Sequence, residues 1–293
     1  MMLSFRRLIS TSLRGLVNSY PFYSSTTGVG TEIELTITES KIAIIGFNRP
    51  EAKNSLSIGL ISRLTAILSD LEHDEGKVRA VIFRSLVPGI FCAGADLKER
   101  LTIPQDKVAG LVSQFRMSSQ RIENLHKPVI FALDGAALGG GLEIALAGDL
   151  LVASSDARLG LVETRLAIIP GGGGTQRLPR LIGSAKAKEL IFTAKVLSGT
   201  EAYEAGIAQY VVKQNEKRDA AFQKALDIAN QIIPHGPIAV KLAKQAINAG
   251  MQTDLTTGLK IEEACYAQVI PTNDRIEGLK AFKEKRTPVY SGN

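Results

Sequence analysis

Cysteine and histidine are scarce in this 293-residue chain, and their placement argues against two kinds of site. The two cysteines, Cys92 and Cys265, are too few and too scattered for the disulfide framework of a small secreted protein. The three histidines, His73, His126 and His235, show no spacing typical of a metal site. We therefore expect no metal centre, and a reducing compartment is compatible with the cysteine content.

Long apolar runs and several familiar motifs are also missing. No stretch approaches the roughly 20 apolar residues of a membrane span, so we expect no membrane-spanning helix. The chain contains no G-x-S-x-G elbow, no GK[ST] phosphate loop and no G-x-G-x-x-G. What is present, 45% hydrophobic and 22% charged residues, is ordinary for a globular protein.

The first thirty residues contain no acidic side chain and are rich in arginine and hydroxyl groups. They hold Arg6, Arg7 and Arg14, with six serines and three threonines before Gly28. This composition is typical of an organellar transit peptide, and a disordered basic tail is the alternative. Without the three arginines the formal net charge falls from +6 to +3, which weakens any argument from charge for nucleic-acid binding. We expect residues 1–30 to be a mitochondrial transit peptide.

Hydrophobic periodicity divides the remainder into a core, residues 31–200, and a C-terminal helical region, residues 201–293. In the core, strands are predicted near 33–37, 41–47, 79–84, 128–133 and 149–153. Helices are predicted after Ser57, over 108–125 and around 142–147. Later helices are predicted near 184–194, 200–206, 218–232, 236–249, 255–269 and 274–285. Strands that alternate with helices predict an α/β fold for the core.

Two glutamates follow glycine-containing turns, and their pairing favours acid/base chemistry. Glu143 ends the run Gly139–Glu143 at the start of a short helix, and Glu163 ends Gly160–Glu163. Backbone N–H groups bared by glycine can stabilise an acyl oxygen that becomes negative, and a glutamate with apolar neighbours is suited to donate a proton. The alternatives are a tight strand-to-helix turn, a first-turn acid and a surface glutamate. Two carboxylates that share one water would position it for addition to a double bond.

Two other segments have a structural and a functional interpretation. Phe91–Lys98 contains only small residues from Cys92 to Ala95, so the Ala95 N–H could point at a ligand. The local position of Asp96 favours a helix N-cap over catalysis, and Cys92 is interpreted as a packing residue. The run Gly171–Gly174 lacks the lysine of a phosphate loop, so we favour a structural turn over phosphate binding.

Taken in order, these segments resemble the enoyl-CoA hydratase/isomerase superfamily, the crotonases. The matching segments are Ala93–Lys98, Asp134–Glu143, Pro170–Arg180 and Glu277–Arg286. Because they follow one another across the whole mature chain, from about residue 32 to 290, the resemblance is specific. It implies a crotonase-like spiral of ββα units and a C-terminal helical region that builds trimers, which pair into hexamers.

The resemblance is strongest to the members that hydrate 3-methylglutaconyl-CoA. The segments that carry it are Lys53–Ser57, Val87–Arg100, Gly160–Thr164 with Ala167–Ile169, and Ile261–Gln268. It implies a hydro-lyase of the mitochondrial matrix that makes 3-hydroxy-3-methylglutaryl-CoA in leucine degradation. A general short-chain enoyl-CoA hydratase of fatty acid β-oxidation is the alternative. Coenzyme A is part of the substrate, so no separate cofactor is expected.

The same resemblance implies roles for individual residues. Ala95 and Gly140 match the oxyanion-hole positions, whose backbone N–H groups hold the thioester oxygen. Glu143 would take a proton from water, and Glu163 would deliver one to the α-carbon. The implied CoA-binding residues are Lys53, Ala93, Ala95, Asp96, Leu97, Lys98 and Lys285.

RNA binding, which one member of the superfamily shows, is not favoured by this sequence. That relative carries lysines on the helix after the segment that matches Lys53–Ser57. Here the helix spans 58–75, and Arg63 is its only lysine or arginine. Its end is acidic, with Asp70, Glu72, Asp74 and Glu75. Because phosphate neutralisation requires lysine or arginine, the sequence argues against RNA as a partner.

Overall fold

The computed structural model describes residues 22–23, 32–74 and 76–293, so most of the predicted transit peptide lies outside the described residues. The strands are β1 (Phe22–Tyr23), β2 (Ile33–Thr38), β3 (Ile42–Phe47), β4 (Ala80–Ser85), β5 (Ile90–Cys92), β6 (Val129–Leu133), β7 (Ala136–Leu138), β8 (Leu150–Ser154), β9 (Arg158–Gly160), β10 (Leu197–Ser198) and β11 (Tyr210–Val212).

Helices separate most of these strands and make up the end of the chain. They are α1 (Ile58–Glu72), α2 (Leu97–Thr102), α3 (Gln105–Asn124), α4 (Gly140–Ala145), α5 (Gly174–Ile182), α6 (Ser184–Phe192), α7 (Gly199–Glu204), α8 (Ala220–Ile232), α9 (Pro237–Gly250), α10 (Leu255–Val269) and α11 (Asn273–Glu284). Short 3₁₀ helices cover Pro50–Ala52 and Glu163–Leu166.

The strands form two sheets, and from β4 to β9 consecutive strands alternate between them. The larger sheet has the order β1-β2-β3-β4-β6-β8-β11, and the smaller has the order β10-β9-β7-β5. The pairs β4–β6, β6–β8, β5–β7 and β7–β9 are all parallel. Each of the pairs β4/β5, β6/β7 and β8/β9 therefore places one strand in each sheet before a helix follows. This repeated unit is the predicted spiral of ββα turns.

Aromatic side chains fill the space between the two sheets. Phe83 on β4 and Phe131 on β6 stack with ring centroids 4.5 Å apart. Phe91, from the smaller sheet, meets Phe131 edge-on at 5.9 Å and Phe47 at 5.4 Å. All four rings are fully buried, and each contributes about 2–3 kcal/mol of hydrophobic free energy. They fix the sheet-to-sheet distance, and hence the position of the strand ends that carry the site.

The opposite face of the larger sheet is covered by α8. Phe222, Ala225 and Ala229 on this helix belong to a second buried cluster with Ile82 and Ile130 of the sheet. The larger sheet also gains β11, which pairs in parallel with β8. Because β11 and α8 both follow residue 200, the sheet and its cover extend past the predicted boundary between core and helical region.

Most predicted elements form within a few residues of the expected positions, and the short ones account for the differences. Ser57 is the N-cap of α1, and its hydroxyl accepts a hydrogen bond from the Leu60 N–H at 3.0 Å. The three strands of the smaller sheet that run in parallel, β5, β7 and β9, were not predicted. Each is only three residues long, too short to show an alternating pattern.

The C-terminal helices α9, α10 and α11 carry large apolar side chains on the outside. Exposed examples are Ile247, Met251, Leu255, Leu259, Tyr266, Leu279 and Phe282. An apolar surface of this extent is typical of a protein–protein interface. Among the residues that the structure describes, no helix is both long and apolar enough to cross a membrane.

Candidate active site

A cavity of about 590 Å³ brings together residues from distant parts of the sequence. Its walls include Ala95, Gly140, Glu143 and Glu163, the four residues predicted to perform chemistry. Its remaining lining is largely apolar. A groove of about 710 Å³ between α3, α5 and α9 is larger, but Glu123 is its only acidic lining residue among those described. The paired carboxylates therefore identify the smaller cavity as the candidate active site.

Glu143 lies in the first turn of α4 and is almost fully buried. Its Oε1 accepts two backbone hydrogen bonds, from the N–H groups of Gly172 and Gly174, each at 2.8 Å. Burial raises the pKa of this carboxyl, while the two glycine N–H groups and the charge of Arg177 act in the opposite direction. The two hydrogen bonds favour the ionised form, so Glu143 is suited to accept a proton.

Glu163 opens the 3₁₀ turn Glu163–Leu166 and is also buried, but its carboxyl has a different environment. No other residue in the described part of the chain donates a hydrogen bond to either of its oxygens. Burial, followed by repulsion from Glu143, raises the pKa of Glu163 to about 7. A carboxyl that keeps its proton near neutral pH is suited to donate it.

The two glutamates depend on glycines at the points where the backbone approaches them. Gly139, the N-cap of α4, has φ of 52°, in the region that glycine adopts without strain. A Cβ atom at Gly139 would lie 3.3 Å from the Glu163 carboxylate, and one at Gly174 would lie 3.0 Å from the Glu143 carboxylate. Side chains at these positions would crowd both carboxyl groups.

Ala95 and Gly140 both line the cavity, and within the described part of the chain no backbone acceptor outside the helices and strands is bonded to either N–H group. A parallel bridge joins the chain at Leu56 and Ala95 through two hydrogen bonds, from the Leu56 N–H to the Gly94 oxygen and from the Asp96 N–H to the Leu56 oxygen. These two bonds flank Ala95, so its own N–H takes no part in the bridge. Gly140 begins α4, where the first N–H groups have no intrahelical acceptor.

The two N–H groups are close together because Gly94 permits a tight approach. Gly94 has φ of 97°, and a Cβ atom there would lie 2.9 Å from the Leu138 oxygen and 3.5 Å from the Gly140 nitrogen. The strand ends of β5 and β7 thus bring Ala95 and Gly140 to one side of the cavity. Two backbone donors beside one cavity can bind an acyl oxygen on which negative charge develops.

Some of the other residues predicted to bind CoA line the cavity, and others do not. Ala93, Ala95 and Leu97 line the cavity. The Asp96 carboxylate instead caps α2, where it accepts from the N–H groups of Lys98 and Glu99, and it forms an ion pair with Arg49 at 2.7 Å. Asp96 is therefore a helix N-cap, the interpretation that its local position favoured.

The three lysines predicted to contact CoA do not line the cavity. Lys53 follows the 3₁₀ turn Pro50–Ala52 with φ of 52°, and its carbonyl oxygen accepts from the Ala93 N–H. Lys285 is the C-cap of α11. Neither these two nor Lys98 is among the described cavity-lining residues, so their CoA contacts stay a prediction.

Sequence reasoning missed the function of the tetraglycine run. We expected Gly171–Gly174 to be a structural turn, and residues 171–173 do form a turn, but Gly172 and Gly174 also donate the two hydrogen bonds that hold Glu143, and Gly174 begins α5. Arg177, one turn later, supports this loop by donating to the Gly172 oxygen at 3.1 Å. The contact with Glu143 spans about thirty residues of sequence, so no local pattern signals it.

No metal-binding cluster is found in the described residues. Cys92 is fully buried, and burial raises the pKa of its thiol to about 12, in keeping with a packing residue. In residues 22–23, 32–74 and 76–293 there is no group of three or more His, Cys, Asp or Glu side chains that could hold an ion.

The sequence and the fold were both compared with those of known proteins. The family model described as "Enoyl-CoA hydratase/isomerase" matches residues 37–293. The human protein named "Methylglutaconyl-CoA hydratase, mitochondrial" is 59% identical over 251 residues, which are 86% of this chain and 74% of the human one. The rat protein of the same name is 56% identical over 273 residues, which are 92% of this chain and 86% of the rat one.

A solved structure has the same fold at substantial sequence identity. The crystal structure of an enoyl-CoA hydratase from Bacillus anthracis superposes with a TM-score of 0.86 at 47% identity, covering 90% of this chain and 100% of the bacterial one. The family match covers well over half of the sequence, and the spiral fold agrees with it. This chain belongs to the enoyl-CoA hydratase/isomerase family.

Proposed function

We propose that this enzyme is a hydro-lyase that adds water to 3-methylglutaconyl-CoA and forms 3-hydroxy-3-methylglutaryl-CoA, a step in leucine degradation. The observation that carries the reaction type is the pair of buried glutamates in different environments. Glu143 is hydrogen-bonded, whereas Glu163 receives no hydrogen bond from any other described residue. The choice of acyl group is supported by the identity to the human and rat proteins that bear this activity in their names.

The thioester oxygen binds the backbone N–H groups of Ala95 and Gly140. As water attacks the β-carbon, the electron pair of the double bond moves towards the thioester, and negative charge develops on its oxygen. The two N–H dipoles stabilise that charge more strongly than they stabilise the neutral substrate, and this difference lowers the barrier. Donors fixed by the backbone need no reorganisation during the reaction.

The two glutamates divide the proton transfers. Glu143 accepts a proton from water as the oxygen bonds to the β-carbon, and Glu163 delivers its proton to the α-carbon. Water is thus added as hydroxyl and proton, and one proton then passes from Glu143 to Glu163 to restore the starting state. The assignment follows from the N–H donors at Glu143 and from the raised pKa of Glu163.

Hydration is favoured over isomerisation alone because both carboxylates line the cavity. A general short-chain enoyl-CoA hydratase is the second candidate. The apolar cavity wall favours it, since Val108, Leu111, Val112 and Phe115 would accept a hydrocarbon chain without any carboxylate.

The two candidates are separated by substrate preference. The kcat/KM of the purified protein should be higher for 3-methylglutaconyl-CoA than for crotonyl-CoA. A large preference for crotonyl-CoA would instead identify a β-oxidation hydratase. Product identification as 3-hydroxy-3-methylglutaryl-CoA completes the test.

We infer further that the protein acts in the mitochondrial matrix as a homo-oligomer, a trimer or hexamer. The names of the relatives include "mitochondrial", and residues 1–30 have the composition of a transit peptide. The exposed apolar side chains of α9 to α11 favour an interface between copies. Lys53, Lys98 and Lys285 would contact the CoA moiety, the last of these in a neighbouring subunit.

RNA binding is not part of the proposal. The α1 helix, which would have to carry it, has Glu72 bound to Arg121 through two hydrogen bonds of 2.8 and 2.6 Å. Within α1, Arg63 is the one lysine or arginine, and His73 follows as the C-cap. A surface with so little positive charge has no means of releasing counterions from phosphates.

A further inference from the structure

A substrate with a second carboxylate needs a cation in the acyl-binding part of the cavity, a residue that sequence alone did not locate. Among the described lining residues, two are cationic: Arg100 on α2 and Arg116 on α3. The acids that line the cavity are Glu99, Glu143 and Glu163. A carboxylate in this space would be repelled by the ionised acids unless a guanidinium compensates for them.

Arg116 is tied to the catalytic base through a single peptide group. Its Nε donates to the Gly171 oxygen at 3.0 Å, and the N–H of that same peptide, which belongs to Gly172, donates to Glu143 at 2.8 Å. With ordinary peptide bond lengths, this path places Arg116 Nε within about 8.5 Å of the Glu143 carboxylate oxygen. Among the contacts of the described residues, none links Arg100 to the glycine loop.

This limit on the distance is compatible with a five-carbon dicarboxylic acyl group between the two side chains. In the proposed reaction the β-carbon lies next to the water held by Glu143, and the terminal carboxylate is two bonds further on. The guanidinium extends beyond Nε and lines the same cavity as Glu143, so its terminal nitrogens can approach a carboxylate bound there. The thioester end is held on the other side, by Ala95 and Gly140.

The terminal nitrogens of Arg116 are available for a ligand. In the described part of the chain Arg116 forms no salt bridge, and its one hydrogen bond uses Nε. Anchoring at Nε orients the plane of the guanidinium and leaves the Nη1–Nη2 edge, which can bind a carboxylate through two parallel hydrogen bonds. On the same helix, Val112 and Phe115 supply the apolar wall beside it.

We propose that Arg116 binds the terminal carboxylate of a dicarboxylic 2-enoyl-CoA and so determines the preference for this substrate class. The proposal rests on the proposed function. Nε supports the loop that holds Glu143, while the Nη edge recognises the substrate, so correct binding and correct placement of the base depend on one side chain.

The test compares two substrates that differ only by the carboxylate, glutaconyl-CoA and crotonyl-CoA. Their kcat/KM ratio is measured for the wild-type protein and for Arg116→Gln, with Arg100→Gln as the matched control for loss of a cavity cation. Both acyl groups require the same loop, so a purely structural effect of Arg116 lowers both values together and leaves the ratio unchanged. Turnover of crotonyl-CoA also reports that each variant is folded.

Arg116→Gln should lower the glutaconyl-to-crotonyl ratio about 10- to 100-fold, the effect of losing a charge-assisted hydrogen-bonded pair. Arg116→Lys should recover part of it, and Arg100→Gln should change it less than threefold. If the wild-type protein prefers glutaconyl-CoA and Arg116→Gln keeps that preference, the assignment of Arg116 is overturned while the proposed function stands. If the wild-type protein does not prefer glutaconyl-CoA, the proposed substrate class itself is wrong.

Discussion

Glu143 accepts a hydrogen bond from the Gly174 N–H, 2.8 Å away and 31 residues further along the chain. The contact joins the start of α4 to the start of α5 and fixes the carboxylate that faces the cavity. Gly172 donates to the same oxygen, so the anionic form of Glu143 is stabilised twice. The glycine-rich loop is therefore part of the acid/base machinery.

Gly174→Ala should impair catalysis. The new Cβ would lie 3.0 Å from Glu143 Oε1 and 2.9 Å from a methyl group of Leu161, so the carboxylate or the loop must shift. We expect kcat to fall about tenfold or more, because small displacements of a catalytic group are costly. The control is Gly110→Ala on α3, where no atom lies within 4 Å of the added Cβ. Unchanged kcat in the Gly174 variant would contradict the account.

Activity should fall as the pH rises through about 7. Glu163 must be protonated to deliver a proton, and its pKa is raised to about 7 by burial and by Glu143. The pH dependence of kcat/KM between pH 5.5 and 9 measures this directly, since it reports the groups of the free enzyme. A profile that stays flat up to pH 9 would show that Glu163 is not the proton donor.

Glu163→Gln should stabilise the folded protein at alkaline pH. The pKa of this group is higher in the folded state, about 7, than its ordinary value of 4.5. Ionisation of Glu163 in the folded protein therefore lowers the free energy of unfolding. This loss reaches its full size above pH 7 and diminishes as the pH falls from 7 towards 4.5. Thermal melting should give the variant a Tm several degrees higher at pH 8, with the difference disappearing near pH 4.5. Equal Tm values at pH 8 would contradict the burial of an unpartnered carboxyl.

Arg177→Met should impair catalysis by displacing Glu143 and by protonating more of it at low pH, without removing its carboxyl group. Arg177 binds Glu123 through Nε and Nη2 and supports the Gly172 oxygen through Nη1. Its charge also lowers the pKa of Glu143. We expect kcat to fall about tenfold and the acidic limb of the pH profile, where Glu143 loses activity by protonation, to move to higher pH.

The matched control for Arg177 is Arg180→Met on the same helix. In the described part of the chain Arg180 binds only Gln176, through its backbone oxygen and its side-chain oxygen. This variant should keep the kcat and the pH profile of the wild-type protein. If both variants behave alike, the effect belongs to α5 as a whole and the specific support of the glycine loop by Arg177 is refuted.

The sequence predicts the long elements of this fold because each has a repeated pattern of its own. Ser57 could be assigned as an N-cap, and α1 as a helix, from the apolar positions that follow. The three-residue strand β7 could not be assigned, since three residues contain no repeat. It forms because β5 and β9 lie on either side of it, and this is a property of the assembled fold.

In the candidate site, too, local sequence patterns predict some features, and the assembled fold determines the others. Glu143 and Glu163 could be predicted as candidate reactive groups because each follows a glycine-containing segment that can be seen in the sequence. Their different electrostatic environments could not be predicted, since the donors to Glu143 come from Gly172 and Gly174. The position of Arg116 was hidden for the same reason, as its contact with Gly171 spans 55 residues.

In the proposed reaction, two buried carboxylates with different protonation states carry out the hydration together. The most direct test is kcat for the hydration of 3-methylglutaconyl-CoA by Glu143→Gln and Glu163→Gln. Because each substitution preserves shape and removes one proton-transfer group, kcat should fall at least about 100-fold in each variant, with little change in KM. Wild-type kcat in either variant would contradict the claim.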